Sequence, residues 1–234
     1  ILRNSNGGFG YGATDLATIE DRVREDDPDT ILYVVDARQK AHFRQVFEAA
    51  EQAGYLKKAS CEHIAFGTVN GKDGKPFKTR AGGVMRLHDL IETMTEAAQA
   101  RLDEGGSVDA ALRPTVARQI AIAAIKFGEL IHDRESNYVF DMESFLHFEG
   151  KTGPYIQYTC VRLQSLFDKA REAGLEPGEL SELGEGGRAL VLKLGELPAM
   201  FDRAVQTRKP SHIAIHAHAL ANATNGFYTA NRIL

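Results

Sequence analysis

The chain has 234 residues, 43% hydrophobic and 26% charged, enough to bury one good core or two small ones, and two domains are expected. A net charge of −4 excludes a protein that covers its whole surface with phosphate-binding cations, and two cysteines, Cys61 and Cys160, are too few for a disulfide framework. No apolar run approaches the ~18 residues of a membrane span and "ILRNSNGGFG" does not read as a secretory leader, so a soluble, cytoplasmic protein with both thiols packed as small core residues is expected.

Charge is shared unevenly, net −6 over residues 1–150 and +2 over 151–234, a weak basic bias compatible with a nucleic-acid surface in the second part. In chain order, "YGATDLATIEDR" (11–22) opens like a helix, and taken alone Asp15 is an N-cap for "LATIEDR". The unalternating run "ILYVVD" (31–36) predicts a strand buried on both faces of a parallel sheet. Phe43, Val46, Phe47 and Ala50 then form one helical face over 41–53, closed by Gly54 as a C-cap glycine, and "HIAFGTV" (63–69) predicts a second strand. Together these make one βαβ unit, whose ligands sit beyond the carboxyl ends of the strands. Two strands fall short of the ~4 to 6 common in such sheets, so the α/β part looks incomplete.

"NGKDGKPFKTRAGG" (70–83), with four glycines and four basic residues, predicts a mobile basic loop. Two helices follow, striped by Leu87, Leu90, Ile91, Met94, Ala98 and Leu102, and by Val116, Ile120, Ala123, Ala124, Phe127 and Ile131. Gly150, Gly153 and Pro154 interrupt this pattern and place a domain boundary near 150. Beyond it "PYIQYTCVRLQSLFDKAREAG", "GGRALVLKLGELPAMFDRAV" and "SHIAIHAHALANATNGFYTAN" predict three amphipathic helices, with Pro198 starting or kinking the second. His212 and His216 stand one helical turn apart, but no cysteine or carboxylate nearby completes a metal set, so a packed, partly exposed helix face is expected and no metal site.

Five blocks in register, "NGGFGYGATDLATIEDR", "ILYVVDARQKAHFRQVFEAAEQAG", "CEHIAFGTV", "GKDGKPFKTRAGGVMRLHDLIE" and "NYVFDMESFLHFEGKTGPYIQYTCVRLQSL", resemble the second half of arginyl-tRNA synthetases. These are class I enzymes that join arginine to its tRNA at the expense of ATP. The resemblance implies an α/β plus all-α chain: residues 1–150 as the C-terminal part of a Rossmann-like class I catalytic domain with an adenylate loop at 70–83, and 151–234 as a helical anticodon-binding bundle. Its implied partners are tRNA(Arg), arginine and ATP with Mg, the metal held by no identifiable protein site, with neither membrane nor DNA. The family's His-x-Gly-His element is absent from the eight histidines here, so the chain reads as part of a larger enzyme, inactive without the missing N-terminal part.

A guanidinium, with its planar fork of donors, is matched by a carboxylate with a second acceptor beside it. Asp15 supplies the carboxylate, Tyr11 stands four residues before it, and Gln39 follows the first strand; the resemblance implies that all three line the arginine pocket. It likewise places His63, Phe66 and Gly67 near adenine, where the residues alone read as a buried strand with one satisfied histidine. It sets Lys78 and Arg80, with Lys75, where the class I Lys-Met-Ser-Lys-Ser element stabilises phosphate charge, although Thr79 replaces the second lysine. In the second domain Tyr155, Gln157 and Arg162 offer aromatic faces and a cation to single-stranded anticodon bases, while Tyr158, Val161 and Arg162 also suit simple packing between domains. A rival class is a noncatalytic RNA-binding module that kept the helical domain; a weaker third is a small arginine-sensing domain.

Overall fold

In the computed structural model the described residues are 3–71, 73–75, 86–106, 108–179 and 182–233. Two compact units are distinguished: one runs to Thr68 and includes Arg134–Asn137, the other takes Val69–Asp133 and Tyr138 onward.

In the first unit, helix α1 (Tyr11–Asp26) buries Leu16, Ile19 and Val23, spaced as one face. It starts at Tyr11, with extended Gly10 in the capping position, so Asp15 lies inside the helix and is not its N-cap. Strand β1 (Thr30–Asp36) pairs in parallel with β2 (Ser60–Phe66), Tyr33 opposite His63, and α2 (Lys40–Gln52) crosses between them. Gly54 follows α2 with φ +74, the left-handed turn expected of it. Leu16, Ile19, Val23, Ile31, Val46, Ala50 and Ala59 form the core.

The expectation that β1 is buried on both faces is corrected: Leu32 is 45% and Val34 63% exposed. Among the described residues the sheet has two strands, and the core built by α1 and α2 takes Ile31 and Tyr33, whose side chains alternate with Leu32 and Val34. The predicted strand 63–69 is also divided. β2 ends at Phe66 because Gly67 turns into a strap: its N–H donates to Arg134 O (2.7 Å), Arg134 donates to Ala65 O, and Asn137 Oδ1 accepts from the Thr68 N–H and hydroxyl (2.8 and 3.0 Å).

In the second unit, β3 (Val69–Asn70) pairs in parallel with β4 (Tyr138–Val139). Helices α3 (Leu87–Gly105) and α4 (Arg113–Leu130) pack Met94 and Ala98 against Ala117, Ile120, Ala121 and Ala124, with Phe140 and Leu146 closing the core. Leu87, expected on the stripe, is exposed at the start of α3. A short α5 (Met142–Phe145) leads to α6 (Gly153–Glu172), capped by Thr152, whose hydroxyl accepts from the Tyr155 N–H (3.2 Å) and donates to His147 O (2.6 Å).

The second of the three predicted C-terminal helices is two, α7 (Gly187–Gly195) and α8 (Leu197–Thr207), with Pro198 in the first turn of α8 where no donor is lost. α9 (Ser211–Ala230) completes the unit. Cys160 is exposed on α6 and Cys61 half-buried; both are free thiols, so the expected core role fails for Cys160. No helix among the described residues is long and apolar enough to cross a membrane.

Candidate functional site

Tyr11 and Asp15 are four residues apart in α1 and so share a face of its first two turns. The Tyr11 side chain is 87% exposed. Asp15 is half-buried, and its Oδ2 meets His42 Nε2, on the first turn of α2, at 2.6 Å. Gln39 ends the 3-10 turn that leaves β1 (Ala37–Gln39) and stands at the N-cap of α2, three residues before His42. The His42 bond therefore ties the Asp15 carboxylate to the turn that carries Gln39.

That turn has its own lock. Asp36, the last residue of β1, accepts from the Arg38 N–H (2.8 Å) and takes the Arg38 guanidinium at 2.9 and 2.7 Å. These hydrogen bonds, side chain first, hold its carboxyl down at about 2, well below the ordinary carboxylate value.

Of the residues expected near adenine, His63 stacks on Phe43 at 5.7 Å, and its buried Nε2 has no hydrogen-bond partner among the described residues. The satisfied histidine expected from the residues alone is not found. Phe66 is exposed at the strand end. Gly67 has no room for a side chain: an added Cβ would lie 2.6 Å from Ser136 O. In the basic loop, Lys78 and Arg80 lie outside the described residues; Lys75 is exposed, with its N–H on Asp73 Oδ1 at 3.1 Å.

On α6 the polar side chains are engaged within the second unit. The Tyr155 hydroxyl donates to Asn222 Oδ1 (2.7 Å) and accepts from Asn225 Nδ2 (3.0 Å), and Gln157 Nε2 donates to Gln119 O (3.3 Å). Arg162 lies between the rings of Tyr158 and Tyr228, 4.8 and 4.9 Å from their centroids, and donates to Asn225 Oδ1 (2.9 Å) and to the Tyr158 hydroxyl (2.8 Å). Its partners here are thus on α6 and α9.

His216 is buried, 4% exposed, with Nδ1 3.8 Å from Glu196 Oε2, where a partly exposed face was expected. No group of three or more His, Cys, Asp or Glu is arranged to hold a metal ion among the described residues.

His42 and Asn225 are the residues sequence reasoning missed. Nothing local in the sequence pointed to either, because their partners lie 27 and 63 to 70 positions away.

The family model for tRNA synthetases class I (R), catalytic domain, matches residues 1–142, and that for the DALR anticodon binding domain matches 156–234. The chain is 48% identical to an arginine–tRNA ligase of Maricaulis maris, aligned over 100% of this chain and 40% of the relative. Among solved structures it is similar to the arginyl-tRNA synthetase of Plasmodium falciparum (TM-score 0.80, 25% identity, 100% of this chain, 40% of that one). It is equally similar to that of Thermus thermophilus (TM-score 0.80, 25% identity, 99% and 43%). It thus spans about 40% of the length of the curated relatives it matches. With catalytic-domain and anticodon-domain matches in sequence on one chain, it belongs to the class I tRNA synthetases of the arginyl type.

Proposed function

We propose that this chain carries the arginine pocket and the anticodon-reading helices of an arginine–tRNA ligase, which activates arginine with ATP and transfers it to tRNA(Arg). The observation that carries this reading is the carboxylate of Asp15, on the same face of α1 as Tyr11 and tied through His42 to the turn that bears Gln39. In this reading Asp15 takes the guanidinium fork, Tyr11 lends hydroxyl or ring, and Gln39 supplies a second polar group at the carboxyl end of β1. A retired pocket has no need of such a carboxylate, so the noncatalytic RNA module is not favoured.

His63, Phe66 and Gly67 are proposed to border adenine, and Lys75, Lys78 and Arg80 to stabilise phosphate charge as the adenylate forms. ATP is a substrate, and Mg accompanies its phosphates. Tyr155, Gln157 and Arg162 are proposed to serve tRNA by shaping the α6 surface; the Arg162 sandwich holds the Tyr158 ring in place for a stacked base. The domain boundary is proposed near 150, between the two family matches. A further partner is the rest of the synthetase, for which the exposed Leu32 and Val34 face of β1 offers an apolar seat. Cytoplasmic residence, where tRNA and ATP are found, fits two free thiols.

Calorimetric titration of the chain with arginine and with lysine tests the pocket: arginine alone should bind, and equal or absent binding sinks it. Titration with tRNAs of varied anticodon tests the helical domain, with preference for arginine anticodons expected.

A further inference from the structure

We propose that His42 is the positioning residue of the arginine pocket, its Nε2–H holding Asp15 Oδ2 so that the carboxylate presents its remaining lone pairs in one fixed orientation to a guanidinium. The assignment rests on the reading of Asp15 as the arginine-binding carboxylate.

A carboxylate accepts, so in the proposed pair at 2.6 Å His42 is the donor, in the tautomer with N–H at Nε2. The two residues are 27 apart in sequence and on different helices, so no local turn geometry brings them together. His42 is itself held: its ring meets Phe43 edge-on (5.0 Å, 81°), and buried Phe43 packs against Tyr33 (4.9 Å) and stacks on His63. The rigidity of the aromatic core is thereby passed to an otherwise rotatable side chain on α1.

Stability alone is a weak explanation for the pair. The side chains are 36% and 30% exposed, and polar pairs that reach solvent to this extent add little to folding. Binding a planar, two-pronged cation, in contrast, depends directly on carboxylate orientation, because a pre-oriented acceptor loses no rotamer freedom when the ligand arrives. The same bond keeps Asp15 beside the α2 N-terminus, so that Gln39 and Asp15 address one ligand.

The test is arginine binding to the chain by calorimetry, with thermal melting of every variant. Asp15→Asn should abolish binding. His42→Phe should weaken it about two- to tenfold, the range expected when one side chain must be ordered by the ligand instead of being held beforehand. His42→Gln, which keeps an N–H near the Nε2 position, should recover part of the loss. Melting temperatures close to the parent's separate positioning from folding.

If Asp15→Asn abolishes binding while His42→Phe binds like the parent, the role of His42 is overturned and the pocket stands. If the parent does not bind arginine, or Asp15→Asn binds equally well, the pocket itself fails and His42 with it. Should His42→Phe not fold, nitrogen NMR of the histidine-labelled parent decides: a protonated His42 Nε2 whose resonance moves with arginine and not with lysine supports the proposal, and an unmoved resonance overturns it.

Discussion

At Asp36 one carboxylate caps a turn and pairs with the side chain of the residue two further on. Its folded pKa is depressed to about 2 from 3.8, so its contribution to stability is fully present above the unfolded value and lost as pH falls through the folded one. The difference in urea midpoint between the parent and Asp36→Ala is therefore expected to be constant above about pH 4 and to close toward about pH 2. Tyr138 illustrates the opposite sign: burial first, then its hydrogen bond to Glu129, pushes the phenol up from its ordinary value.

Arg162 makes a different case, because its fork and its flat faces are both used, by Asn225 and the Tyr158 hydroxyl and by two rings. Lysine keeps the charge but has neither plane nor fork. Arg162→Lys is expected to destabilise the second unit by about 1–2 kcal/mol, read by denaturant unfolding.

Helices here are located by periodicity and oriented by close approach. Ile19, fully buried between α1 and the sheet, marks the face of α1 that the core requires; Ile19→Ala is expected to cost about 2–5 kcal/mol in chemical denaturation. Gly153 begins α6, and the place of its missing Cβ is taken by the backbone of Ala123 on α4. A methyl group there meets backbone, which cannot rotate away. Gly153→Ala is expected to lower stability by about 1–3 kcal/mol and to shift the α4 and α6 resonances together. The same residue read as a breaker in the sequence thus serves as a packing contact, and Pro154 beside it fills a first-turn site where its lost donor is harmless.

For the whole molecule, the proposed function puts two chemistries on one chain, a compact cation at the strand ends and an extended polyanion on helices. They should respond differently to salt. Raising ionic strength is expected to weaken tRNA binding steeply, measured by fluorescence titration, because each neutralised phosphate releases counterions. Arginine binding, which brings a single small cation to a half-buried carboxylate, should fall far less.

What could be read from the amino acids was whatever has a short period: the βαβ unit, the stripes of α3 and α4, Gly54 as a stop, Pro198 as a start, and five family blocks in order. Those signals survive in one dimension because a helix or strand repeats its environment every few residues. The place of Asp15 inside α1 rather than at its cap, the open face of β1 and the break after Phe66 were not legible, the last two because they depend on what lies across from the segment rather than within it. Asp15 was legible as a candidate and its His42 partner was not, being 27 positions away; Tyr155 and Asn225, 70 apart, escaped for the same reason. Residue type and spacing therefore decided which chemistry the chain carries, and long-range packing decided which atoms of those residues remain free to perform it.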